Sequence, residues 1–155
     1  METDEEAGIF ARESTFLDGY VQLGVAADRV ISVTFPPEPD AGAGADHPIL
    51  DRVSAYLEGE REDLREVAVG LTVATDHRSV LEAVREVPYG ENATVEQIAR
   101  MTPGLSAEDT DDQDTVRTAL AENPVPLVVP DHRIRDGPSG APPAVETKLR
   151  SLEGL

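Results

Sequence analysis

The sequence predicts an α/β protein, with a small N-terminal α/β unit over residues 1–75 and a mainly helical domain over residues 76–155. Three observations lead there. Two apolar runs, residues 20–25 and 30–35, flank Ala26-Ala27-Asp28-Arg29 as the strands of a β-hairpin do. Apolar residues recur at helical spacing at Ile49, Leu50, Val53 and Leu57, and helical patterns dominate beyond Asp76. Proline, glycine and acidic stretches punctuate the chain between these segments.

Taken in order, residues 1–7 are acidic and read as a disordered arm. The hairpin follows, then a loop over residues 36–44, which carry three prolines and two glycines. A helix runs from His47 to Leu57 and stops before Gly59. Val67, Val69 and Leu71 alternate with small residues as a strand would. Asp76 is the expected N-cap of a helix through Glu86, and residues 88–91 form a turn. Thr94 and Gln97 have capping-box spacing and open a short helix through Ile98 and Met101. Residues 102–112 read as a polar loop and residues 115–122 as a second helix, a helix-turn-helix or winged arrangement. Leu127, Val128 and Val129 suggest a buried strand, and a helix over residues 143–152 closes the chain.

Composition narrows the chemistry. With no cysteine, disulfides, thiolate catalysis and thiolate metal sites are excluded. His47, His77 and His132 are scattered, so no metal site is expected. No apolar run approaches the roughly 18 residues of a membrane span, and the acidic N-terminus does not resemble a signal peptide. A cytoplasmic protein with no membrane partner is the expectation. Acids outnumber bases 31 to 13, a net charge of −18. One of the 13 bases is Lys148 and the other 12 are arginines. Such charge opposes nucleic acid, but its spread over both halves fits a salt-adapted acidic surface equally well.

Four blocks carry more specific information: Val87-Pro88-Tyr89-Gly90-Glu91, the paired short helices, Asn123-Pro124-Val125-Pro126, and Pro130-Asp131-His132-Arg133 before the terminal helix. Their order and spacing resemble the O6-alkylguanine-DNA alkyltransferase family over most of residues 76–155. That resemblance implies a ribonuclease H-like N-terminal unit and a winged-helix-like C-terminal domain, with no cofactor. In the family a cysteine accepts the alkyl group, and Asp131 stands at its position. His132 matches the base that deprotonates the thiol through water, Glu153 its carboxylate partner and Asn123 a loop support. Pro130, Val129 and Val95 fall at substrate-contacting positions. Thr94, Asp114, Arg117, Thr118 and Arg133 fall on the DNA-binding side.

The departures are as informative as the matches. Asp114 replaces the arginine that fills the gap left by a flipped base, and Val95 replaces a tyrosine. Arg117 and Thr118 stand where the recognition helix carries small residues. Residues 136–143 replace the substrate loop and are expected to lack the backbone donors that hold an alkylated base. Asp109, Asp111, Asp112 and Asp114 suit a helix N-terminus but repel phosphates. The resemblance therefore implies a cysteine-less, non-catalytic homologue, monomeric, with alkylated duplex DNA and excision-repair proteins as partners. Two alternatives stand beside it. One is a pseudo-enzyme serving as an interaction or structural module without DNA binding. The other is an enzyme that forms and hydrolyses an alkyl ester on Asp131. Convergence of Arg117, Arg133 and Arg135 on one positive face would favour DNA binding.

Overall fold

The computed structural model describes residues 7–61 and 64–155, so the expected acidic arm lies, apart from Ala7, outside the described residues. The chain divides into two compact units, with the division between Gly70 and Leu71.

The first unit is built on a three-stranded antiparallel sheet of β1 (Ala7–Ser14), β2 (Gly19–Ala26) and β3 (Arg29–Thr34), in that order. The expected hairpin is β2–β3. Its two-residue turn is made by Ala27 and Asp28, both at positive φ (52° and 64°), which matches the twist of the flanking strands. Strand β1 was not expected. Its apolar Ile9, Phe10 and Ala11 give way to Arg12 and Glu13, and pairing with β2 in the register Phe10↔Leu23 and Arg12↔Val21 makes it a strand.

Helix α1 (Pro48–Leu57) opens with Pro48 in its first turn, and His47 caps it by accepting from the Ile49 amide through Nδ1 (3.1 Å). It buries Leu50, Val53, Tyr56 and Leu57, while the sheet contributes Val21, Leu23, Val25, Val30 and Val33 to the same unit's core. Each such Leu or Val stabilises the fold by roughly 1.5–3 kcal/mol relative to exposure. The strand expected at residues 67–71 is reduced to a single parallel bridge between Val69 and Val30, after a 3-10 turn over Leu64–Glu66. Val30 N donates to Ala68 O and Gly70 N to Val30 O (2.9 Å each), the pair of bonds that makes an isolated bridge.

The second unit packs α2 (Thr75–Val84), α3 (Val95–Met101), α4 (Thr110–Ala121) and α5 (Pro143–Glu153) around Val80, Leu81, Val84, Ile98, Val116, Leu120 and Leu149. Three elements differ from expectation. Helix α2 is capped at Ala74, and Asp76 lies inside its first turn, where a carboxylate still complements the helix dipole. Helix α4 starts at Thr110, five residues earlier than its apolar pattern suggests. Asp109 caps it by accepting from Asp111 N (2.8 Å) and Asp112 N (3.3 Å), so the acidic run that looked like loop is the first turn. The 127–129 run is buried but irregular. Leu127 has φ 79°, and the Val129 amide turns back to Val125 O (2.9 Å).

The predicted capping box of α3 is present, with Gln97 N to Thr94 Oγ1 at 3.1 Å and Thr94 N to Gln97 Oε1 at 2.8 Å. The chain between α4 and α5 returns as a 3-10 turn over Asp131–Arg133 and bridges Ile134 to Ala93, just ahead of that cap. This crossing places the Pro-Asp-His-Arg segment in the middle of the unit. Among the described residues no helix is long and apolar enough to cross a membrane.

Candidate active site

Asp131 sits at 1% exposure, and both carboxylate oxygens are engaged. Ser139 Oγ donates to Oδ1 at 2.6 Å, while Gly140 N and Asn123 Nδ2 donate to Oδ2 at 2.8 and 2.9 Å. Local geometry explains the convergence. Asn123 follows the end of α4, and its side-chain oxygen accepts from Val125 N (3.0 Å), which fixes the amide plane across the Asn-Pro turn. Ser139 and Gly140 arrive from the loop before α5. A Cβ at position 140 would run into the Asn123 backbone carbonyl, so glycine permits the approach. Burial pushes the Asp131 carboxyl above its ordinary 3.8. The bonds from Ser139, Gly140 and Asn123 and the charge of His132 pull the other way without overcoming it.

The second half of the site centres on Glu153, at the last turn of α5, whose side chain is fully buried. His132 Nε2 lies 2.8 Å from Oε2, Arg133 Nε donates to Oε1 (2.8 Å) and Nη2 to Oε2 (3.0 Å), and Gly90 N donates to Oε1 (3.0 Å). Burial alone would raise this carboxyl. His132, Arg133 and Gly90 outweigh it and hold the group far below the usual carboxylate range. Arg133 Nη1 also donates to Val87 O (2.7 Å), with the guanidinium 5.7 Å from the centre of the Tyr89 ring. One carboxylate thus ties the terminal helix to the Pro-Asp-His-Arg turn and to the Val87–Gly90 turn.

The structure brings Asp131, Asn123, His132 and Glu153 into one buried region, with Val129 and Pro130 buried beside them in the chain. Val95 is also buried (1% exposed), at the start of α3, and its amide donates to Asp136 Oδ1 (2.8 Å). Thr94 is committed to its cap. On α4, Arg117 Nη1 pairs with Asp114 Oδ1 at 3.0 Å, both side chains exposed, and Thr118 is exposed. Arg133 turns inward to Glu153, whereas Arg135 is exposed, so the arginines at 117 and 133 are held by two different acids.

One expectation is corrected. The 136–143 loop does not lack donors: it supplies the Ser139 hydroxyl and the Gly140 amide, and Asp131 takes both. Sequence reading missed Ser139, Gly140, Gly90 and Asp136. Their only signal was the turn composition of Gly-Pro-Ser-Gly and Tyr-Gly, which marks loops without saying what they face.

Residues 76–153 match the family model described as the 6-O-methylguanine DNA methyltransferase, DNA binding domain. The methylated-DNA–protein-cysteine methyltransferase of Methanopyrus kandleri is 34% identical over 129 residues, covering 80% of this chain and 93% of its own length. The chain belongs to the O6-methylguanine DNA methyltransferase family. The enzyme of the same name from Metallosphaera sedula is 30% identical over 107 residues, 68% of this chain and 64% of that protein.

Two solved structures share the fold. The Mycobacterium tuberculosis enzyme in complex with DNA has a TM-score of 0.69 at 20% identity, covering 95% of this chain and 91% of that one. The O6-methylguanine-DNA methyltransferase of Pyrococcus kodakaraensis has a TM-score of 0.57 at 20% identity, covering 96% and 100%. This chain has no cysteine.

Proposed function

We propose that this chain is a non-catalytic member of the family that retains recognition of alkylated guanine in duplex DNA and has lost alkyl transfer. The observation that carries the loss of chemistry is the Asp131 carboxylate. It is buried, accepts from three donors, and stands where transfer needs a thiolate. A carboxylate is a far weaker nucleophile towards an alkyl carbon than a thiolate, and three hydrogen bonds weaken it further. The ester reading loses support for the same reason.

DNA recognition draws its support from the match of residues 76–153 to a DNA-binding domain and from the intact α3 cap. We read α3 and α4 as the helix-turn-helix of a winged-helix-like domain. The sheet and α1 of the first unit are read as a reduced ribonuclease H-like unit, with the two domains as 1–75 and 76–155. Excision-repair proteins are the partner class that a non-repairing lesion binder requires. The monomeric state, the cytoplasmic location and the salt-adapted surface belong to the same reading.

One specific observation favours the second reading, an interaction or structural module without DNA. Arg117 is neutralised by Asp114, and Arg133 is spent on Glu153. Binding to duplexes with and without O6-methylguanine, at low and multimolar salt, separates the two. The first reading expects a lesion preference that persists at high salt; equal or absent binding to both duplexes leaves the second. A mass measurement after incubation with the alkylated duplex is expected to show no adduct on Asp131.

A further inference from the structure

We infer that Asn123, Ser139 and Gly140 form a preorganised oxyanion site that the chain fills with its own Asp131 carboxylate, and that takes a small free carboxylate once that side chain is removed. The inference deepens the reading above, because it rests on the same filled site. Its test uses no DNA, so the failure of one is distinguishable from the failure of the other.

The donors are positioned independently of Asp131. The Asn123 amide is fixed by contacts that do not involve Asp131. Its oxygen accepts from Val125 N (3.0 Å) and its nitrogen also donates to Val129 O (3.2 Å). Ser139 Oγ accepts from Ala141 N (3.0 Å) through a lone pair, which leaves its one hydrogen for Asp131 Oδ1. Gly140 lies against the Asn123 backbone too closely to admit a side chain, so its N–H is placed by backbone packing. The three donors therefore stay aimed at one point with the carboxylate gone. Donors held in advance around an oxyanion need little reorganisation to bind it, in contrast to donors that must first leave water. Two donors converge on one oxygen and one on the other, the acceptor pattern of a carboxylate. While Asp131 occupies the cradle, any other oxygen ligand must displace it.

Size makes the test sharp. Asp131→Ala removes a fragment the size of formate, and Asp131→Gly removes one the size of acetate. Thermal unfolding of the full chain is followed by circular dichroism in potassium chloride, with formate or acetate replacing chloride at constant ionic strength. D131A should gain Tm saturably with formate and D131G with acetate, each by roughly 3 °C at tenfold excess over its Kd. The native chain and D131N, which keeps an acceptor towards Asn123 and Gly140, should not respond. The Gly140 amide resonance of D131A should move with formate along the same saturation curve. Equal responses in all four proteins, no response beyond chloride, or a D131A chain that stays unfolded in molar formate would each overturn the inference.

Discussion

Replacing Glu153 by alanine tests whether one buried carboxylate holds the terminal helix to the rest of its unit. The four hydrogen bonds described at its two oxygens come from His132, Gly90 and two nitrogens of Arg133. Arg133 has a side chain only 11% exposed and His132 only 1%, so neither recovers much solvation when Glu153 leaves. Removing one partner of a buried ion pair costs about 3–5 kcal/mol, because the surviving charge is left uncompensated. At ~2–4 °C per kcal/mol for a chain of this size, the expected fall in Tm is roughly 10 °C.

Glu153→Gln keeps the shape and one acceptor, so about half that loss is expected. The double variant Glu153→Leu with Arg133→Met removes both charges and should recover most of the E153A loss. Urea unfolding followed by far-ultraviolet circular dichroism measures all three. The pH dependence gives a second reading of the same group. Because the folded-state pKa is depressed, the unfolded chain takes the proton first, so Glu153 contributes fully above its ordinary 4.5 and loses its contribution as pH falls below it. E153Q should flatten the stability profile below about pH 4.5. An E153A protein within ~1 kcal/mol of the parent, with an unchanged acid profile, would refute the reasoning.

Other outcomes follow from neighbouring contacts. Asp131 behaves with the opposite sign. Its raised folded-state pKa means that its contribution is complete below the ordinary 3.8 and erodes as pH rises through the folded value. The stability of D131N relative to the parent should therefore improve from pH 3.5 to pH 7, and a D131N protein that falls further behind the parent as pH rises would count against a raised carboxyl. Gly140→Ala drives a methyl into the Asn123 carbonyl and should cost about 1–3 kcal/mol in denaturant unfolding, with loss of the Gly140–Asp131 bond. Asp114→Arg releases Arg117 from its ion pair and should tighten duplex binding roughly tenfold at low salt, measured by fluorescence anisotropy. No change would show that α4 does not face phosphate.

The family was legible in the sequence because its marks are local. Asn-Pro-x-Pro and Pro-x-His-Arg are short contiguous motifs, and the capping box of α3 needs only a Thr and a Gln three apart. The β2–β3 hairpin, α1 and α5 were legible for the same reason, since hydrophobic period and turn residues lie within a few positions of each other. Elements whose apolar signal is short or missing were read less well. β1 became a strand by pairing with β2, and the first turn of α4 is acidic residues capped by Asp109.

The sequence by itself determined that the chain has no thiol, and the family resemblance pointed to Asp131, His132, Asn123 and Glu153. What those residues do was decided only by the tertiary structure. Hydrogen bonds across 8, 9 and 20 positions join Asp131 to Asn123, Ser139 and Gly140, and Glu153 to Arg133. Side chains that far apart meet only when the 131–133 turn, the loop before α5 and the last turn of α5 are folded onto one another. The meaning of the aspartate lies in that folding. It is a buried acceptor with both oxygens engaged, and two of its three donors come from the 136–143 loop that looked empty of them.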